Sequence, residues 1–421
     1  MQKLKITGGR KLCGELEIQG AKNSALPLMS ACVLVGGSCR LKRVPALADV
    51  HAAARIINRL GCRCRREGKD ILIDSSVLTG VDIPDDLMRS MRSSVIFLGA
   101  LLGRTGECRL SYPGGCELGP RPIDLHLSAL RKLGAVITEE HGTLRCTCAG
   151  RLRGTRIELS FPSVGATENI MLAACTAEGE TVISGAAREP EIEDLARFLN
   201  ACGARISGAG GHRIVINGVE RARLHGTEHE VMPDRIAAAT YLCAAAATGG
   251  EALIKGAPAE HSGALTDVLR QAGCRVFESG RGLYITAPAR LRAVPMIRTC
   301  PYPGVPTDAQ AVVMAALTRA RGTGMVVERI FENRFRHVDE LIRMGADIKT
   351  EGRVAVVTGV DRLSGAAVVA PDLRGGAALC VAACAAEGET EVTGLNLIDR
   401  GYEAIEKALT DLGGKAERVS G

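Results

Sequence analysis

The sequence predicts an α/β protein of two domains, each assembled from three copies of a unit of about 70 residues. Three observations carry that expectation. A probable helix ending in glycine and followed by a strand-like stretch recurs six times, as INRLGCRC, LRKLGAVI, LNACGARI, LRQAGCRV, LIRMGADI and LTDLGGKA, with glycines 61, 134, 203, 273, 345 and 413 spaced 68 to 73 residues apart. A second signature keeps step with it: an Ala- and Leu-rich helix, a glycine turn and a strand of alternating polarity. Finally, 421 residues at 46% hydrophobic and 24% charged exceed what one core accommodates, so three units per domain is the economical arrangement.

Taken in chain order, the first unit opens its apolar helix at GAKNSALPLM, turns at LVGGSCRLKRV and closes on INRLGCRC. The second turns at LLGRTGECRLSYP, and the third runs from ENIMLAACTAEG through AAEGETVISGA to LNACGARI. The fourth, fifth and sixth turn at AATGGEALIKGA, TRARGTGMVVERI and AAEGETEVTGL, the last after the apolar helix GAALCVAACAAEG. Each unit thus holds two helices of different character. The one before the LGA-type glycine is amphipathic, and the one before the EGE-type turn is apolar all round and expected in the domain interior with the sheets outside it. The boundary between the two domains is expected at the polar GTEHEVMPDR, around Val231.

Composition narrows the function. The net charge of +6, from 53 basic and 47 acidic residues, is mild and interspersed, and 5 Tyr, 6 Phe and no Trp offer little for stacking on bases, so a nucleic-acid surface is disfavoured. A pocket for a small anion fits better. The 16 cysteines show neither CxxC pairs nor zinc-finger spacing with histidine and read as small core hydrophobes in a reducing cytoplasm, with no metal expected. The start, MQKLKITGGRKL, lacks the apolar run of a secretory signal, and no window approaches a membrane span, so a cytoplasmic protein without membrane partners is expected. A monomer is expected because the repeats leave no evident spare amphipathic surface.

Certain residues break the repeat. Lys22 and Asn23 stand at the start of the first apolar helix, where unpaired backbone N–H groups favour an anion, although Asn23 or Ser24 as a helix cap beside a solvated lysine accounts for the same spacing. Ser163, Asp372 and Arg374 occupy equivalent helix starts in other units. Arg92, Arg121, Arg334, Arg374 and Arg400 sit beside such motifs and suit two-point binding of phosphate or carboxylate, or surface ion pairs. Asp308, after the rigid YPGVPT turn, is either a cap, a part Thr307 plays equally well, or an acceptor for a substrate hydroxyl proton. In SYPGGCELGPRP, glycine and proline exclude helix and central strand, which places Cys116 on a shaped loop.

Together GAKNSALP, PGGCELGPRPIDLH, SVGATENIM, AAREPEIEDLARFL, PDRI, YPGVPTD, FENRFRHV, DLRGGAAL and IDRGYE resemble, in order and over essentially the whole chain, the UDP-N-acetylglucosamine 1-carboxyvinyltransferases of the EPSP synthase family. The resemblance implies an inside-out α/β barrel in each domain, with the first strand region packing with the second domain, so that one domain spans 22–231 and the other 1–21 plus 232–421. It also implies an active site between the domains and transfer of an enolpyruvyl group from phosphoenolpyruvate to the sugar nucleotide without cofactor. It implies that Lys22 and Asn23 bind phosphoenolpyruvate. Nucleotide-sugar contacts fall to Arg92, Arg121, Pro122, Ile123, Asp124, Leu125, Phe161, Pro162, Ser163, Val164 and Ile330. Cys116 matches the catalytic thiol, which the epoxide fosfomycin alkylates in the family, and Asp308 the residue beside the reacting hydroxyl. Arg121, Arg334, Arg374 and Arg400 match the anion-binding arginines, with Asp372 beside them; Lys22 and Arg400 also count among the catalytic residues. Two departures are Ala237, where an acidic residue is expected, and Ile398, where leucine is commoner; Phe161 stands where some relatives are basic.

A shikimate 3-phosphate enolpyruvyl transferase shares the expected fold but lacks the PGGC loop. A binding protein without activity does not require Lys22, Cys116, Asp308 and Arg400 together.

Overall fold

The structure, a computed structural model, describes residues 2–114 and 123–420. The chain divides into two compact units, one of residues 20–114 and 123–232, the other of residues 2–19 and 233–420. Both contain three copies of one motif. In the first copy the apolar helix Lys22–Val35 leads to strand Ser38–Lys42, the amphipathic helix Ala48–Arg59 and the hairpin Arg63–Glu67 and Asp70–Asp74. Strand Ser38–Lys42 lies antiparallel to Asp70–Asp74, with Arg40 opposite Leu72, and parallel to the short edge strand Glu228–Glu230. Six four-stranded sheets of this plan cover the two units, mixed α/β throughout.

The apolar helices lie where their sequence puts them. In Lys22–Val35 every residue from Ser24 onward is buried, and in Arg235–Ala247 every residue but the last. Phe97–Thr105 is buried as far as Leu102, Val164–Ala174 from Ala166 on, Thr307–Leu317 from Ala309 on and Leu373–Ala385 from Arg374 on, so each unit has an all-helical centre with sheets around it. Their alanines and glycines allow close approach. A Cβ on Gly99 would stand 2.3 Å from the carbonyl oxygen of Asn169 on the neighbouring helix. The amphipathic helices bury one face only, as Ala48–Arg59 does with Val50, Ala53, Ile56 and Ile57.

The recurrent glycine has one physical cause in all six copies. Residues 61, 134, 203, 273, 345 and 413 have φ between 86° and 100°, the left-handed region that terminates a helix and that a side chain resists. The next residue then donates its N–H back to the last turn: Cys62 to Ile57, Ala135 to Leu130, Ala204 to Leu199, Cys274 to Leu269, Ala346 to Leu341 and Gly414 to Leu409, at 2.9 to 3.2 Å.

The N-terminal residues supply strands to two sheets of the second unit. Gln2–Thr7 runs between Glu389–Thr393 and Lys415–Ser420, antiparallel to both, and Cys13–Glu17 pairs parallel with Glu251–Lys255. Eleven of the fifteen described cysteines are buried, and all fifteen are free thiols. No helix among the described residues is long and apolar enough to cross a membrane.

Candidate active site

Each unit gathers part of the predicted site. In residues 20–232, Lys22 and Asn23 form the first turn of their helix, whose cap position is Ala21 without a side-chain capping bond. Neither Asn23 nor Ser24 is the cap. The Ser24 hydroxyl is turned instead to Asp194 on the helix Pro190–Ala201, donating to Oδ2 at 2.5 Å. Nor is Lys22 simply solvated, because its Nζ lies 3.2 Å from the buried carboxylate of Asp49 and its side chain is only 12% exposed.

Asp194 holds more than Ser24. Its Oδ1 accepts from Arg197 at 2.8 Å and His229 at 3.0 Å, and its Oδ2 from the Met232 N–H at 3.3 Å. Burial pushes this carboxyl up, but the bonds from His229, Ser24 and Arg197 outweigh it and leave Asp194 below the ordinary range. Met232 in turn accepts the Ala21 N–H at 2.7 Å, so the turn carrying Lys22 is tied at two points.

The predicted nucleotide-sugar segments converge on a histidine that the sequence reading passed over. His126 follows Asp124 and Leu125 on the helix Asp124–Lys132, which Ile123 precedes as the cap residue. Its Nδ1 accepts from the Asn169 side-chain amide at 2.7 Å, while Asn169 also donates to the Val95 carbonyl and accepts the Gly99 N–H. Burial, helped by the charge of Arg92 and opposed by Asp124, pushes the imidazole down to about 4. It is therefore neutral. The ring also abuts Gly165, one residue past Val164, on the helix that Ser163 caps by accepting the Ala166 N–H. Arg92, Asp124 and Ser163 are thus neighbours of one rigid group. Arg92 itself donates to the Pro113 carbonyl, and Phe161 is 41% exposed.

In residues 233–420, Asp308 is the second residue of the helix Thr307–Leu317 and caps nothing. Its Oδ1 accepts from Arg334 at 2.8 Å and its Oδ2 from Arg374 at 3.0 Å, the arginine side chains being 3% and 4% exposed. These two arginines, read from the sequence as binding a substrate anion or sitting in surface ion pairs, are buried and share an anion of the protein. Burial opposes the charge on Arg374, but Asp308, Tyr402 and Asp234 raise its pKa above the ordinary arginine value. Arg374 also donates to the Tyr402 hydroxyl at 3.3 Å, which lies 2.7 Å from Thr240. Asp372 caps the helix Leu373–Ala385 by accepting the Arg374 and Gly375 N–H groups at 2.9 Å. Beside them His337 is fully buried, and burial with Arg334 nearby pushes it down to about 4 despite Asp372.

Ile330 lies in the turn after strand Thr323–Val327, and Arg400 is half-buried beside Asp399, which holds Arg418. Cys116, Arg121 and Pro122 lie outside the described residues. The departure at 237 has a simple setting. Ala237 is fully buried in the helix Arg235–Ala247, where an acidic side chain would need a partner.

The EPSP synthase (3-phosphoshikimate 1-carboxyvinyltransferase) family model matches residues 6–409. The chain belongs to the EPSP synthase family. Within the EPSP synthase family it stands with the UDP-N-acetylglucosamine 1-carboxyvinyltransferases: it is 51% identical to one of that name from Caldanaerobacter subterraneus subsp. tengcongensis, over 100% of both chains. It is 50% identical to another from Symbiobacterium thermophilum, over 98% of this chain and 94% of the relative. The crystal structure of the enolpyruvyl transferase NikO from Streptomyces tendae superposes with a TM-score of 0.88 at 25% identity, covering 100% of this chain and 99% of that one. EPSP synthase from Acinetobacter baumannii shares the fold, with a TM-score of 0.75 at 19% identity over 100% of both chains.

Asp49, Asp194, His126 and Tyr402 are among the members of these clusters that sequence reasoning missed, with Asn169, His229 and His337. His126, Asp194 and Tyr402 each lie inside a quoted motif, PGGCELGPRPIDLH, AAREPEIEDLARFL and IDRGYE, but local composition does not name their partners.

Proposed function

We propose that the chain transfers the enolpyruvyl group of phosphoenolpyruvate to the 3-hydroxyl of UDP-N-acetylglucosamine with release of phosphate, as a monomer in the cytoplasm, and that this is the first committed step of peptidoglycan synthesis. The observation that carries the reading is 51% identity over the full length to a relative bearing that enzyme's name. The paired Asp308 and the motif-matched residues support it.

The chemistry assigns each group a task. Phosphoenolpyruvate gains a proton at its methylene carbon while the sugar oxygen bonds to the central carbon; that proton type is then lost again as the carbon–oxygen bond to phosphate breaks. Cys116 supplies the proton, or bonds the central carbon, because a thiol with a reference pKa of about 8.5 offers both forms near neutrality. Asp308 takes the hydroxyl proton and places negative charge near the developing cation. Lys22, Asn23, Arg121 and Arg400 hold phosphoenolpyruvate, and the residues around His126, with Ile330, hold the nucleotide sugar.

The test is phosphate release from phosphoenolpyruvate with UDP-N-acetylglucosamine, with shikimate 3-phosphate, and with neither. Release is expected with the sugar nucleotide alone; release with shikimate 3-phosphate instead would replace the reading. Cys116→Ser is expected to lose nearly all turnover and to resist fosfomycin, and full activity in that variant would remove the thiol from the mechanism.

A further inference from the structure

Glu328 follows strand Thr323–Val327 and is 1% exposed, and none of the tasks assigned above falls to it. Its carboxylate accepts four hydrogen bonds from three segments. The Thr307 hydroxyl donates to Oε2 at 2.9 Å; the Thr299 hydroxyl, the Ile330 N–H and the Phe331 N–H donate to Oε1 at 2.9, 2.7 and 3.1 Å. Thr299 is locked in its turn, accepting the Arg329 N–H at 2.8 Å and donating its own N–H to the Val327 carbonyl at 3.0 Å.

The neighbours of these donors matter. Thr307 immediately precedes Asp308, and its carbonyl accepts from Arg334, the same guanidinium that grips the Asp308 carboxylate. Thr307 is therefore fixed at its hydroxyl by Glu328 and at its carbonyl by Arg334, which leaves the helix start little freedom to rotate. Ile330 is fixed through its backbone, so where its side chain projects depends on the same carboxylate.

We propose that Glu328 is a positioning residue for the transfer, setting the start of the Asp308 helix and the Ile330 turn in one geometry. The proposal rests on the reading in which Asp308 accepts the hydroxyl proton and Ile330 touches the nucleotide sugar. A displacement of about 1 Å at a reacting group costs on the order of a hundredfold in rate, which makes a buried carboxylate with rigid partners a sensitive point.

Steady-state kinetics on the full chain separate the two arms. Thr307→Val removes one donor and is expected to lower kcat about tenfold or more with KM for UDP-N-acetylglucosamine within about twofold. Thr307→Ser restores the hydroxyl and is expected to return kcat to within about threefold of the unmutated protein. Glu328→Gln sets an N–H donor among donors and is expected to lower kcat and raise KM for the sugar nucleotide, each about tenfold. Unaltered kcat in Thr307→Val, or a loss that Thr307→Ser does not rescue, overturns the proposal, and the threonine pair decides it even where Glu328→Gln does not fold. Turnover in the unmutated protein with indifferent variants overturns the positioning role alone, whereas no turnover with UDP-N-acetylglucosamine in the unmutated protein overturns the functional reading and this inference together.

Discussion

At the residue scale, Asp308 shows how a partner changes what a substitution means. It lies 26 residues from Arg334 and 66 from Arg374 in sequence, and the three were legible separately, as charged residues at helix starts and repeat-breaking motifs. Their pairing was not, because side-chain contacts across such separations leave no mark on local composition. Asp308→Ala would strand two buried guanidiniums, and the unit containing it is expected to lose about 3–5 kcal/mol in urea denaturation. Asp308→Asn keeps an acceptor for one arginine and the shape of the site, so it is the variant for kinetics. It is expected to stay folded and to lose at least about a hundredfold in kcat, and undiminished kcat would remove Asp308 from proton transfer.

Elements were read more completely than residues. A left-handed turn is a local demand that one residue type meets cheaply, so six glycines at regular spacing announced six helix ends, and all six have the expected φ. Apolar runs without periodicity announced helices buried on every side, and all six of those are interior. How closely the helices approach is a property of the pair. Gly99 faces Asn169, whose carbonyl and side-chain oxygens would lie 2.3 and 2.7 Å from an added Cβ. Gly99→Ala must therefore push apart the helices Phe97–Thr105 and Val164–Ala174, breaking the bond by which Asn169 accepts the Gly99 N–H at 2.6 Å. A loss of about 1–3 kcal/mol is expected from the urea midpoint, and an unchanged midpoint would show that the pair relaxes without cost.

At the scale of the whole molecule, stability is linked to pH through two histidines, one in each unit. His126 and His337 titrate near 4 in the folded chain against an ordinary 6.5, chiefly because burial disfavours the imidazolium. Between those values the unfolded chain binds protons that the folded one refuses, so their contribution is intact above pH 6.5 and is lost as pH falls towards 4, on the order of 3 kcal/mol each. Glu168 works in the opposite sense: burial, with Glu191 and Glu189 near, raises its pKa, so the fold keeps a proton that the unfolded chain releases as pH rises above 4.5. The histidine share is isolated by comparing urea midpoints at pH 7 and pH 5 for the unmutated chain and for His126→Asn. The variant is expected to show a flatter dependence, and an identical slope would mean that His126 titrates normally in the fold.

The sequence by itself determined the sixfold period, the class of each element, the interior helices and the candidate residues of the site, because backbone conformation and burial act through short windows of residue types. Only the tertiary structure decided which strands Gln2–Thr7 and Cys13–Glu17 pair with, that Asp194 and His126 organise two helix starts, and that Asp308 is shared by two buried arginines. Those are decisions about partners. A strand edge or a buried charge must be satisfied by something, and the identity of that something is set by which distant segments the packing brings within about 3 Å.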